Sequence, residues 1–239
     1  MFSKKNTPAR YRHLFFDLDH TLWDFEANAR ATLETLHDQL QLGARGVHDF
    51  ELFYRNYLVH NEMLWERYRK GFIKQDELRI KRMRLALLDF KIADEALSQQ
   101  MNVLFLELLP TRTLLFPHTK EILHYLKDKG YELHLITNGF EKVQHSKLKY
   151  SGLDIFFNQV ITSEGSNSLK PNREIFEYAF GKANATAANS IMLGDTLEVD
   201  IQGAINVGMD QVFVNHVNIE TKLQPTYTVK TLKELEDIF

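Results

Sequence analysis

Apolar and polar positions change rhythm twice along this chain. The run His13-Leu14-Phe15-Phe16 leads directly into Asp17 and Asp19, spaced i, i+2. This is the pattern of a buried strand that ends by delivering carboxylates to a sheet edge. Side chains two apart in an extended chain point the same way, which sets Asp17 and Asp19 toward one crevice. From about Glu26 to Ser98 the spacing is helical instead. Ala29, Leu33, Leu36 and Leu40 form one stripe, stopped by Gly43 and Gly46. A second carries Phe53, Tyr57, Leu64, Trp65 and Tyr68 and ends at Gly71. A third carries Leu78, Met83 and Leu87, and a fourth runs from about Ala93 to Leu109 before Pro110. Four amphipathic helices are predicted there.

After Pro117 the pattern alternates. A helix at 120–129, stopped by Gly130, precedes a strand at 131–137. A helix at 141–150 then precedes a strand near 159–162, and a helix at 173–183 leads to a strand at 190–193. A helix at 198–207 and a strand at 211–214 complete the pattern. Repeated helix and strand predict a doubly wound parallel α/β sheet. The expected organisation is a core of residues 1–22 and 112–239, interrupted after its first strand by a helical insert at 23–111.

Ligands of open α/β sheets bind at the carboxyl ends of the strands. There the sequence places Asp17 and Asp19, then Thr137-Asn138-Gly139, then Lys170-Pro171, then Gly194-Asp195 with Asp200 shortly after. Singly, these segments read equally as a turn, a helix start or a loop. Together at successive strand ends they gather Asp17, Asp19, Asp195 and Asp200 around one lysine, expected to stand where Pro171 opens the next helix. Such a cluster is destabilising unless a cation joins it, and a hard divalent ion such as Mg²⁺ takes oxygen ligands. Thr137 and the neighbouring backbone N–H groups suit an oxyanion.

The remaining composition narrows the possibilities. The chain has 239 residues, 44% hydrophobic and 26% charged, with a net charge of −3. That balance argues against an overall nucleic-acid or anionic-membrane binder. No cysteine is present, which excludes disulfides, thiolate metal sites and cysteine nucleophiles. The leading segment has Lys4 and Lys5 but no apolar core of a secretory signal, and no apolar run reaches membrane-span length. The expectation is a cytoplasmic monomer acting on a small molecule. Ten histidines show no HxH or HExxH spacing, so His134 and its fellows read as packing or surface residues. P-loop, dinucleotide-binding and GxSxG fingerprints are missing.

The segments DLDHT, TNG, KP and GDTLEVD, in this order, resemble the four motifs of the haloacid dehalogenase (HAD) superfamily of phosphohydrolases. The insert lies where subfamily I members carry a helical cap. LWDF, NEMLWERYRKG and ITNGFEKVQHSKL further resemble the pyrimidine-type 5′-nucleotidase branch. The sequence departs from the common pattern at His20, where Gly or Asp is usual, and at Asn167, where a glycine is usual. The resemblance implies a Mg²⁺-dependent phosphomonoesterase with Asp17 as nucleophile and Asp19 as general acid and base. It implies Thr137, Asn138 and Gly139 around the phosphoryl oxygens and Lys170 neutralising charge. It also implies Mg²⁺ held by Asp17, the Asp19 carbonyl and Asp195, with Asp200 as a ligand or an indirect partner.

Other readings stay open. A dehalogenase of this fold needs neither Asp19 nor a metal; a phosphomutase, or a sugar-phosphate or phosphoglycolate phosphatase, shares the motifs; and a non-catalytic binding module could retain the fold. Asn61 sits on an apolar helical stripe. It pairs either with the cap's own groups or with the hydrogen-bonding edge of a nucleobase, beside an aromatic wall that includes Trp65. Nucleoside 5′-monophosphates such as dUMP or dTMP are the expected substrates.

Overall fold

Strand β1 (His13–Phe16) is buried at all four positions, as a central parallel strand covered on both faces must be. The computed structural model describes residues 10–239; the basic segment with Lys4 and Lys5 lies outside the described residues. After β1 come four helices, α1 (Phe25–Gln39), α2 (Phe50–Arg69), α3 (Gln75–Leu88) and α4 (Glu95–Leu108). Then follow α5 (Thr119–Asp128), β2 (Glu132–Thr137), α6 (Glu141–Ser151), β3 (Gln159–Thr162), the single turn α7 (Ser163–Ser166) and α8 (Arg173–Ala183). The chain closes with β4 (Ser190–Gly194), α9 (Gln202–Asn206), β5 (Asp210–Val214) and β6 (Tyr227–Val229).

Among the described residues two compact units result: 10–24 with 115–239, and 25–114. The crossings fall two or three residues beyond the expected 22/23 and 111/112. In the first unit, Trp23 bridges to Leu115, and Phe116 N donates to Leu22 O at 3.0 Å. The strand leaving the sheet and the strand returning to it are thus tied together on the core side.

The first unit holds a six-stranded sheet in the order β3-β2-β1-β4-β5-β6, parallel at every pairing. Chain direction across the sheet reverses at β1 and β4, the switch point where open α/β sheets form a crevice. Phe16 lies level with Leu135 on one side and Leu193 on the other, so the segments after β1, β2 and β4 emerge side by side. Below them Phe15, Ile136, Ile175, Phe176 and Met192 form a buried cluster. The second unit is all helical. Asp49 and Asp94 cap α2 and α4 by accepting from the N–H groups of Leu52 and Leu97. None of the described helices is long and apolar enough to cross a membrane.

Three local expectations are corrected. The segment expected as one helix at 198–207 begins with a π-helical turn (Leu197–Ile201) before α9. There Thr196 O accepts from the N–H groups of Val199, Asp200 and Ile201, while Thr196 N donates to the Asp200 carboxylate at 3.0 Å. Helix α8 starts at Arg173, so Pro171 precedes the helix rather than opening it. Strand β6 and the closing 3₁₀ turn (Leu232–Asp237) were not foreseen.

At the amino ends of β1 and β2, His13 Nδ1 and His134 Nε2 lie 3.2 Å apart, and His134 stacks on Phe15 with ring centres 4.7 Å apart. Together with Glu132 they bring possible ligand atoms within 4.8 Å of one another, but Arg12 already occupies the Glu132 carboxylate at 2.6 Å. Burial, then the neighbouring His13, push the His134 pKa down to about 4. A histidine held neutral in the fold stabilises it fully above the unfolded-state value. That contribution is lost as protons bind the unfolded chain first, at up to about 1.4 kcal/mol per pH unit. Denaturation at stepped pH should therefore show wild-type stability falling between about pH 6 and pH 4, with a shallower fall in His134→Phe. Parallel pH profiles for the two proteins would contradict this.

Candidate active site

Asp17 follows β1 directly, and its N–H donates to Leu193 O at 2.9 Å, continuing the ladder to β4 by one residue. Its carboxylate accepts from Lys170 Nζ at 2.6 Å. The same ammonium donates to Asp200 Oδ1 at 2.7 Å and to Ile136 O at 2.7 Å. All three Lys170 donors are therefore used, on a side chain that is 1% exposed. Burial opposes the lysine's charge, but Asp17 and Asp200 hold its pKa above the ordinary lysine value.

Asn138 fixes where this lysine stands. Its Oδ1 accepts from Lys170 N at 2.7 Å and its Nδ2 donates to Lys170 O at 2.9 Å. The sequence pointed to the Asn138 backbone; its side chain has this second role, bridging the ends of β2 and the β3–α8 loop. Asn167, in that loop, takes the left-handed conformation at φ 52°, as expected of an asparagine replacing glycine. His20 is left-handed too, at φ 64°, which accounts for the glycine common at that position.

Asp17, Asp195 and Asp200 bring carboxylate oxygens within 4.8 Å of one another. Burial pushes the Asp17 carboxyl well above the usual aspartate range; Lys170 pulls it back, and Asp200 and Asp195 raise it further. Asp195 is pushed up to about 6 by burial and then by Asp200. Three carboxylates against one ammonium leave two formal negative charges, which a divalent cation would neutralise. The donor set fits such an ion: all oxygen and convergent, with Asp17 and Asp200 buried and Asp195 half-buried. Asp195 is oriented by Thr21 Oγ1, donating at 2.9 Å, and by Thr196 Oγ1 at 3.2 Å. Both Asp200 oxygens likewise accept, one from the Lys170 ammonium and one from Thr196 N.

Asp19 stands outside this cluster. Past Asp17 the chain turns, with Leu18 O accepting from Leu22 N and Trp23 N and Asp19 forming an isolated bridge with Trp23. The Asp19 carboxylate instead meets α6, accepting from Lys147 Nζ at 2.5 Å and Gln144 Nε2 at 2.9 Å. Gln144 Nε2 also donates to Thr137 Oγ1 at 2.7 Å, and Gly139 N donates to the same oxygen at 3.1 Å. Gln144 and Lys147 were not singled out from the sequence. Their signal was polar residues on a buried helical stripe, since Gln144, Lys147 and Ser151 share the covered face of α6 with Leu148.

Two motif glycines have steric causes. A Cβ on Gly139 would collide with the Gln144 carboxamide, and a Cβ on Gly194 would collide with the Asp200 carboxylate. In the helical unit, Asn61 is buried and its Oδ1 accepts from Arg82 Nη1 at 3.2 Å, so that carbonyl has a partner from α3. Trp65 is half-buried and meets Tyr68 edge-on at 5.7 Å.

Residues 11–208 match the family model described as haloacid dehalogenase-like hydrolase. The chain is 32% identical to the pyrimidine 5′-nucleotidase PynA of Streptococcus pneumoniae over 95% of its own length and 94% of that protein. It is 29% identical to a glyceraldehyde 3-phosphate phosphatase of Pyrococcus furiosus, over 96% of this chain and 93% of that one. Among solved structures, the putative HAD-hydrolase YfnB of Bacillus subtilis, crystallised with magnesium and described as showing interdomain movement, superposes with a TM-score of 0.87. The identity there is 27%, with 96% of this chain and 98% of that chain covered.

The close approach at Gly194 gives a direct test of the cluster. Gly194→Ala must displace Asp200 from Lys170, a strain of about 1–3 kcal/mol, so its melting temperature should fall by several degrees. A divalent cation should raise the melting temperature of the wild type more than that of the variant. Equal melting curves with and without the ion would count against both the packing and the cation reading.

Proposed function

Because the chain belongs to the haloacid dehalogenase-like hydrolases, we propose that it is a Mg²⁺-dependent phosphomonoesterase working through an aspartyl-phosphate on Asp17, with pyrimidine nucleoside 5′-monophosphates as its substrates. The observation that carries the chemistry is the Lys170 ammonium between Asp17 and Asp200. It holds a buried carboxylate in one orientation at a strand end, with a second acid, Asp19, two residues on in the sequence.

In this reading a free Asp17 oxygen attacks phosphorus while the ester P–O bond breaks. Asp19 gives a proton to the departing oxygen. Water then attacks phosphorus of the acyl phosphate, Asp19 takes its proton, and inorganic phosphate leaves with the Asp17 carboxylate restored. Thr137 Oγ1 and the N–H groups of Asn138 and Gly139 hold phosphoryl oxygens, and Lys170 offsets charge at the reacting centre. Mg²⁺, held by Asp17, the Asp19 carbonyl and Asp195 with Asp200 behind them, supplies charge neutralisation for phosphate and nucleophile when bound.

A metal-free dehalogenase would also use Asp17 as nucleophile but would have no use for Asp19 or Asp195. The substrate class rests on the likeness to PynA across nearly the whole chain. Selection of the leaving group is assigned to the helical unit, where Asn61 and Trp65 are the proposed contacts. The likeness to a glyceraldehyde 3-phosphate phosphatase supports a second reading, a sugar-phosphate phosphatase.

Phosphate release from a panel of nucleotides, triose and hexose phosphates and phosphoglycolate separates these readings. The expected outcome is the highest specificity constant for dUMP or dTMP, loss of turnover in excess EDTA, and a fall of at least about 10³-fold in Asp17→Asn. A triose or hexose phosphate above every nucleotide would replace the substrate class. Full activity of Asp17→Asn would end the mechanism.

A further inference from the structure

Helix α6 buries polar groups where an amphipathic helix ordinarily buries apolar ones. Gln144 is fully buried and Lys147 is 2% exposed. Burying an amide and an ammonium is costly unless each finds strong partners, and both find theirs among the candidate catalytic side chains. Lys147 Nζ donates to Asp19 Oδ1 at 2.5 Å and stands 4.3 Å from the centre of the Trp23 ring. Gln144 Nε2 lies between Asp19 Oδ2, at 2.9 Å, and Thr137 Oγ1, at 2.7 Å.

The direction of these bonds follows from the groups themselves. In its ionised form, paired with the Lys147 ammonium, Asp19 accepts, so in the substrate-free site the Gln144 amide must turn its NH₂ toward it; the flipped amide would set oxygen against oxygen. Both Nε2 hydrogens are then committed, one to Asp19 and one to Thr137. The Thr137 hydroxyl has two acceptor lone pairs and one proton. Its acceptor capacity is taken by Gln144 Nε2 and by Gly139 N at 3.1 Å. Donation is the one function left to it.

We infer that Gln144 and Lys147 form a positioning clamp, in which Lys147 and Gln144 fix the Asp19 carboxylate and Gln144 obliges the Thr137 hydroxyl to donate toward an anionic oxygen. The inference rests on the phosphomonoesterase reading, in which that oxygen belongs to the transferring phosphoryl group. A donor aimed before the substrate arrives requires no reorganisation during the reaction. Gly139 belongs to the same device, since a side chain there would push Gln144 off Thr137.

The test compares Gln144→Leu, Lys147→Met and Lys147→Arg with wild type on p-nitrophenyl phosphate, which has a good leaving group, and on dTMP, which has a poor one. Inhibition by orthovanadate, a mimic of the five-coordinate phosphoryl group, is measured alongside, with Asp17→Asn as the control for the reaction itself. Both apolar replacements shorten the side chain by one heavy atom, and melting curves establish that each variant is folded. Gln144→Leu should lower kcat by at least about 10-fold while KM moves by less than about 3-fold, and should weaken vanadate inhibition by about 10-fold or more. Lys147→Met should lose at least about 10-fold more turnover on dTMP than on the aryl ester, with part of that difference restored in Lys147→Arg. Folded variants that lose equally on both substrates, with vanadate inhibition unchanged, would overturn the clamp and leave the phosphomonoesterase reading standing. Wild-type turnover that does not depend on Asp17 would overturn that reading and the clamp with it.

Discussion

The buried Lys170 ammonium is the interaction on which the core unit's active end depends. Three acceptors from three parts of the chain meet it: Asp17 after β1, Ile136 O in β2, and Asp200 after β4. An ion so deeply buried is tolerated only with its charge matched and its donors used, and both conditions hold. Lys170 also keeps two carboxylates at one sheet edge that would otherwise repel. The residual negative charge around Asp195 then becomes a place for a divalent cation.

The sheet makes that arrangement possible. Parallel pairing of β1 with both β2 and β4, in matched register at Phe16, brings their carboxyl ends level. The direction of winding reverses there, and connecting helices do not fill the crevice. Precision is added by short-range devices: the Asn138 carboxamide on the Lys170 backbone, the Thr196 carbonyl gathering three N–H groups, and glycines at 139 and 194 where carboxamide and carboxylate press on the backbone.

Much of this was legible in the sequence because strand ends punctuate it. Asp17, Thr137 and Asp195 each follow an apolar run, and alternation of the runs supplies the fold. Helices α1–α4 were legible through regular apolar spacing, with glycines after the first two and Pro110 after the fourth. What escaped depends on contacts distant in sequence. Gln144 and Lys147 are ordinary helix formers, and only their place on the covered stripe beside Leu148 marks them. The partners of Asp19 escaped for the same reason, since Lys147 and Gln144 lie 128 and 125 residues away in the sequence. Strand β6 is three residues long at the sheet edge and carries too little periodicity to be read. Asn61 was correctly placed on a buried stripe, but its partner Arg82 lies 21 residues away on another helix.

The central claim is that Asp17 becomes covalently phosphorylated, and trapping that intermediate tests it most directly. The enzyme is mixed with a ³²P-labelled phosphomonoester for a few milliseconds, quenched in acid, reduced with borohydride and mapped by peptide mass spectrometry. The account predicts acid-stable label on the protein before reduction and conversion of residue 17 to homoserine after it, both missing in Asp17→Asn. Label at another residue, or phosphate release with no labelled protein under single-turnover conditions, would contradict it.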